Sequence, residues 1–159
     1  MILKIFIIFE SNNQPMLSKI TQYAIWGLVY IQMQNYNGLM PGSREIAKEI
    51  DIPQMSVAKI LQQFVRKGFI ISVKGKGGGF YFTNNQSGLT LKEVMQATGD
   101  CKILTECFLG ISSCSPENPC PVHENWAKLR TEINLLVSYA TIQSLARSNP
   151  TFTKSVLKE

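Results

Sequence analysis

Nowhere in these 159 residues is there an apolar run long enough to cross a bilayer, an internal repeat or a low-complexity tract, and outside positions 101–120 there is no cysteine. Each absence excludes something. The N-terminal stretch MILKIFIIF is far short of the ~20 residues a spanning helix needs. It is followed by ESNNQP, with no small-residue cleavage site of a signal peptide. A secreted disulfide scaffold spreads its cysteines through a smaller chain. Four cysteines crowded between Cys101 and Cys120 read instead as a metal or redox site in a reducing cytoplasm. The glycine run at 77–79 has no Gly-Lys-Ser/Thr after it, so it is not a nucleotide phosphate loop. Cys120, His123 and Glu124 lie close together, but no oxyanion-stabilising loop accompanies them, and an enzyme is not expected.

What is present is a basic middle. The net charge is +5, and 45% of the residues are hydrophobic against 17% charged, enough to bury a core in one domain with an appendage. From 18 to 82 there are eight cations (Lys19, Arg44, Lys48, Lys59, Arg66, Lys67, Lys74, Lys76) against three acids (Glu45, Glu49, Asp51). From 83 to 159 the signs balance at seven each. The whole excess sits in one segment, the footprint of a module that binds a polyanion.

Periodicity places helices in and around that segment. Ser18 reads as an N-cap, and Ile20, Tyr23, Ala24, Gly27, Leu28 and Ile31 mark one apolar face of a helix ending between 35 and 38. After a Pro41-Gly42 turn, Ser43 is expected to cap a short helix over 44–49, with Ile46, Ala47 and Ile50 inward. Asp51-Ile52-Pro53 breaks it, and Pro53 opens the next helix, which runs to about 67 with Val57, Ile60, Leu61 and either Val65 or Phe64 buried. Gly68 stops it. Residues 69–73 and 80–83 read as strands of a hairpin with the glycine-rich tip 74–79. Thr90 to Glu93 is a capping box for a short helix that Gly99 ends. A cysteine loop follows over 100–119. Pro121 then opens a last helix in which Trp126, Leu129, Ile133, Leu136 and Ala140 alternate by three and four, a seam suited to its own domain or to a second copy.

Two short helices joined by a tight turn, then a glycine-tipped hairpin, follow the order of a winged helix-turn-helix. The expected fold class is therefore mainly α, with a two-stranded β wing and a long C-terminal helix for dimerisation. Its expected partner is double-stranded DNA. The second helix of the pair enters the major groove, where base edges differ in donors, acceptors and methyl groups. Its outward N-terminal residues are Gln54, Met55, Ser56, Ala58 and Lys59. Arg44, Ser72, Lys74, Gly75, Lys76 and Gly77 complete the expected DNA-binding set, with lysines beside phosphates and glycines admitting close backbone approach. The expected organisation is an extension or mis-assigned start over 1–15, a winged-helix domain over 16–98, a ligand loop over 99–119, a dimerisation helix over 120–148 and a tail over 149–159.

These residues resemble one known family. MLSKITQYAIWGL, the stretch REIAKEIDIPQMSVAKILQQFVRKGFIISVKGKGGGFYF, the following LTLKEVMQA and the loop CSPENPCPVHENW are together similar to the IscR/NsrR-type (Rrf-two) family of bacterial regulators, over roughly 16–139. The resemblance implies dimers on near-palindromic operators, with the long C-terminal helices crossing at the two-fold axis. It also implies sensing of iron–sulfur status, nitric oxide or redox state through a cluster bound by three cysteines and one further ligand. Carried onto this chain, that set is Cys107, Cys114, Cys120 and His123. Some members draw a ligand, often an acid, from the partner's first helix, and the matching position here is Gln22, a poor iron ligand. Ser56 and Ala58 replace larger or charged residues, and Cys101 falls outside the pattern.

The spacing C-x5-C-x6-C-x5-C-x2-H supplies soft donors suited to an iron–sulfur cluster, zinc or copper(I). The resemblance favours a 2Fe–2S cluster, with 4Fe–4S as a second form, and an imidazole in place of one thiolate raises such a cluster's potential. Zinc and a metal-free disulfide switch involving Cys101 stay open, as does a loop that is merely structural. His123 also fits as a capping or surface residue, and Trp126 as packing that shields the site. The expected function is a sequence-specific DNA-binding repressor, cytoplasmic and without a membrane partner. The alternative is a cluster-free regulator controlled by a thiol switch, zinc or a protein partner.

Overall fold

A computed structural model of the chain describes residues 16–83 and 88–148. The expectations for 1–15 and 149–159 lie outside the described residues. Among the described residues, no helix is long and apolar enough to cross a membrane. The elements are α1 (Lys19–Tyr36), α2 (Ser43–Glu49), α3 (Gln54–Arg66), β1 (Ile71–Ser72), β2 (Phe80–Tyr81), α4 (Leu91–Thr98), α5 (Lys102–Thr105), α6 (His123–Tyr139) and α7 (Ile142–Ser148).

α1 is the hub. Ser18 caps it by accepting the Thr21 N–H at 3.3 Å. Ala24, Leu28, Val29 and Ile31 are wholly buried. Its buried surface is wider than the single face expected, because α4 and α7 pack beside it as well as α2 and α3; Thr21, Ile25 and Gln32 are enclosed too, and Ile20 is exposed. Gly27 sits where a Cβ would just touch Ile46, Ile50 and Leu61 at 3.7–3.9 Å, so it lets α2 and α3 come close.

α2 starts one residue earlier than expected. Gly42, in extended backbone, is the N-cap and Ser43 lies inside the helix, with no side-chain cap bond. Asp51 carries the turn into α3 with φ 56°, a left-handed conformation that its short polar side chain tolerates. On α3, Phe64 rather than Val65 is the buried residue. Gly68 leaves the helix at φ +76°.

The wing is shorter than expected: two residues pair with two, Ile71 with Tyr81 and Ser72 with Phe80. Such a pair is not stable alone, and it is held from outside. The Phe80 N–H donates to the Pro41 carbonyl at 3.0 Å. Asn35, at the end of α1, accepts the Phe82 N–H at 2.9 Å and donates to the Phe80 carbonyl at 3.3 Å. The glycines divide the remaining work. Gly75 and Gly77 supply positive φ in open space, while a Cβ on Gly79 would lie 2.1 Å from the Met40 carbonyl oxygen.

α4 has its capping box, Thr90 with Glu93, and its left-handed C-cap at Gly99. Asp100 then reaches back to α1 and accepts the Ser18 N–H at 2.7 Å. Thr21 and Thr98 share a hydroxyl–hydroxyl bond of 2.7 Å between the same two helices. The cysteine loop is not wholly irregular, since it begins with the one-turn α5.

The helix expected over 120–148 is two helices. α6 opens at His123 after a turn through Pro121. It ends at Ala140, whose backbone is extended (φ −69°, ψ 123°), so Ala140 is not on a helical seam. Thr141 restarts the chain as α7: its hydroxyl accepts the Ser144 N–H and the Ser144 hydroxyl accepts the Thr141 N–H, each at 3.0 Å. This is a capping box with serine in the glutamate's place. Thr141 bridges Thr90, and the Ile142 N–H donates to Leu89 at 2.8 Å, folding α7 back onto α1. There Gln143 donates to Gln32 at 3.1 Å and accepts the Leu89 N–H at 2.9 Å, and Arg147 stacks 5.6 Å over the Tyr36 ring.

Two outcomes follow for stability. Gly79→Ala forces Met40 and Pro41 away from the wing and costs about 2–3 kcal/mol, more than the roughly 1 kcal/mol of Gly75→Ala; thermal melts of the two variants should rank in that order. Burial pushes the Asp100 pKa up, but hydrogen bonds from the Ser18 N–H and from the Thr21 and Ser18 hydroxyls outweigh it, and the pKa lies below the usual carboxylate value. A depressed pKa stabilises the fold above the ordinary carboxylate range and ceases to as pH falls through the folded-state value. Asp100→Asn should therefore cost about 0.3–1 kcal/mol at neutral pH, and its melting-temperature gap to the wild type should close in acid.

Candidate functional site

Two surfaces stand out. The first is formed by α3 and the wing. The expected contact residues are on it and accessible: Arg44, Gln54, Met55, Lys59, Ser72, Lys74, Gly75, Lys76 and Gly77 are exposed, Met55 at 83%, and Ser56 is half-buried. Between helix and wing runs a groove of ≈ 410 Å³ lined by Ser43, Ala58, Gln62, Arg66, Ser72 and Lys74, among others. Gln62 and Arg66 were not among the expected contacts. The signal for them is spacing, since Met55, Lys59, Gln62 and Arg66 recur at four, three and four and share one helical face.

The second surface is the loop between α5 and α6. It brings Cys107, Cys114 and Cys120 together, with their sulfurs all within 4.8 Å of one another. Cys107 and Cys120 are 3.7 Å apart. His123, at the start of α6, joins through its Nδ1, 3.1 Å from the Cys114 sulfur. Cys101 lies apart, half-buried beside Met95, Leu104 and Val137. Gln22, on α1, turns its amide to its own Leu17 carbonyl at 2.6 Å.

Backbone geometry favours charge on these sulfurs. Gly110, at φ +67°, turns the chain after Cys107. The Ile111 N–H bonds to the Cys107 sulfur and, against desolvation and with help from the Leu109 N–H, Cys114 and Cys120, holds its thiol below the usual range. The Cys120 N–H draws the Cys114 pKa down, but desolvation, proton sharing with Cys120 and Cys107, and the charge on Cys107 together carry it above the usual value.

The loop is fastened to α6. Trp126 donates from Nε1 to the Glu106 carbonyl at 2.9 Å, and its ring lies 5.3 Å from that of Phe108. Arg130 donates to the Thr105 carbonyl at 3.1 Å, and Asn134 to Leu104 at 3.4 Å. Arg130 and Asn134 were missed by the sequence reading, although 126, 130 and 134 form a stripe at a spacing of four. Trp126 and Ile133, expected on a dimer seam, are thus engaged within their own chain, Ile133 against the Met95–Leu104–Val137 cluster. Leu129 and Leu136 are exposed at 57% and 65%, beside Leu135 and Tyr139.

The profile of the Rrf2 family, described as an iron-dependent transcriptional regulator, matches residues 17–148. The chain belongs to the Rrf2 family. Among relatives, a protein of Aquifex aeolicus that carries the name of an HTH-type transcriptional regulator is 32% identical over 130 residues, spanning 80% of this chain and 89% of that one. The regulator IscR of Yersinia pestis is 22% identical over 127 residues, 80% of this chain and 76% of its own. The solved structure of CymR, the global cysteine regulator of Bacillus subtilis, superposes with a TM-score of 0.69 at 14% identity, covering 83% of this chain and 96% of that one. At that identity it shows the fold alone, a winged helix. An Rrf2 protein is a transcriptional regulator and not an enzyme, and the three-cysteine group is compatible with a metal or iron–sulfur centre.

Proposed function

We propose that this Rrf2 protein is a dimeric, sequence-specific repressor whose operator affinity is set by an iron–sulfur cluster held by Cys107, Cys114, Cys120 and His123. The observation that carries the reading is the gathering of three thiols and one imidazole at the foot of the long helix of a winged-helix body. The donor set fits such a group. Thiolates and imidazole are soft to intermediate ligands, and the Ile111 N–H bond to the Cys107 sulfur favours the deprotonated form that ligation needs. When bound, the cluster supplies a centre that nitric oxide, oxidants or iron shortage can remove.

The chain's own residues do the rest. Met55, Lys59 and Gln54 meet base edges in the major groove, and Lys74 and Lys76 meet phosphates from the wing. In the dimer, Leu129, Leu136 and Tyr139 form the apolar seam. Coupling of about 1–3 kcal/mol between the two surfaces suffices for a large change in operator occupancy.

A second reading rests on one distance. A tetrahedral ion with metal–sulfur bonds of about 2.3 Å sets its thiolates about 3.8 Å apart, close to the 3.7 Å between Cys107 and Cys120. The same spacing suits one tetrahedral iron of a cluster, so a single zinc ion is a rival occupant of the same donors.

Three measurements test this. Anaerobically purified protein should contain iron and acid-labile sulfide and absorb in the visible; a colourless protein with one zinc per chain selects the rival. Cys107→Ala should abolish the absorbance and alter operator affinity, while Cys101→Ser leaves both unchanged. Replacing Lys74 and Lys76 together by alanine should weaken binding to all sequences alike and make the salt dependence shallower by about 1 per lysine, whereas Gln54→Ala should act on some base pairs and not others.

A further inference from the structure

The last four carbonyls of any α-helix have no partner within it, and α5 has only four residues. Three carbonyls at its end are met by side chains from α6. Trp126 donates to Glu106, Arg130 to Thr105 and at 3.5 Å also to Glu106, and Asn134 to Leu104. Donors one helical turn apart thus meet consecutive carbonyls in reverse order. The residue after Glu106 is Cys107. The Glu106 carbonyl and the Cys107 nitrogen belong to one planar peptide unit, which moves as a rigid piece. Val137 is the one residue of α6 that is buried, and the first half of the helix is otherwise tied to the loop by the His123–Cys114 and Trp126–Phe108 contacts. Trp126 and Arg130 also line, with Cys107, Cys114 and His123, a cavity of ≈ 340 Å³ behind the sulfurs.

We infer that Trp126, Arg130 and Asn134 are positioning residues that convert occupancy of the thiol site into a change in the pose of α6. The inference rests on the reading of these thiols as a metal site. Drawing the Cys107 sulfur toward an ion turns the 106–107 peptide and carries the Glu106 carbonyl with it. Hydrogen bonds weaken steeply with distance and angle, so α6 must follow the carbonyls or lose its hold on them. None of the three side chains need touch the ion.

The test uses the full chain, labelled with ¹⁵N, and cobalt(II) as the probe, whose thiolate absorption reports loading. The protein has two tryptophans, so Trp126→Phe assigns the two indole N–H signals while keeping a ring against Phe108. In the wild type, loading should shift the Trp126 indole signal and change amide exchange across 129–139 severalfold. In the combined variant Trp126→Phe with Arg130→Met, cobalt should bind with the wild-type absorption while the exchange of 129–139 responds severalfold less, the remainder passing through His123 at the start of α6; Arg130→Lys, which keeps a donor, should retain the response. If the combined variant does not fold, Trp126→Phe alone should blunt it. A loaded wild type with an indifferent α6, or a variant that responds as the wild type does, overturns the inference and leaves the metal reading intact. A wild type that takes up no cobalt overturns the metal reading. The linkage is then judged on the chain alkylated with iodoacetamide: α6 exchange that changes in the wild type but not in the variant supports it, and no change in the wild type ends it.

Discussion

Because α1 is enclosed on nearly every side, its polar side chains must find partners inside the protein, and those partners hold the other elements in place. Thr21 bonds Thr98 at one end, and Gln32 bonds Gln143 further along. Asn35 takes up the returning strand of the wing. No buried side-chain nitrogen or oxygen among the described residues lacks a partner. An unpaired buried polar group costs about 1–3 kcal/mol, so each of these bonds is enforced by burial itself. The apolar core makes α1 central, and the polar exceptions in it decide how α4, α7 and the wing are oriented around it.

This arrangement separates the two functional surfaces. The α3 and wing face is built on one side of α1, with α2 behind it. The thiol loop hangs from α5 and α6, whose Leu104 and Val137 form a small second cluster with Met95. Met95 lies on α4, and α4 is bonded to α1 through Thr98 and Asp100. Between the thiols and α3 the packing runs from the loop to α6, across to α4 and into the hub.

The sequence made the periodic elements legible, and the resemblance it bears to one family made the thiol set legible. Ser18, the Thr90 capping box, Gly68 and Gly99 bound their helices as read, because each acts locally. The wing's glycines announced a tight hairpin, but not that Gly79 is required by the Met40 carbonyl, which is distant in sequence. The break at Ala140 was hidden because the apolar spacing of three and four runs right up to it. Thr141 and Ser144 carried the signal, in a form of the capping box that lacks the usual acid. Asn35 and Gln143 were unreadable for a common reason: each satisfies a backbone or amide group on another element, and nothing in its own neighbourhood marks it.

The fold-back of α7 has a mechanical meaning. With its far end stitched to Leu89 and Thr90 and its near end to the loop, the long helix is fixed like the handle of a bucket, at both rims of one vessel. A handle so mounted cannot swing free, and any turn of it would carry the exposed Leu129, Leu136 and Tyr139 together.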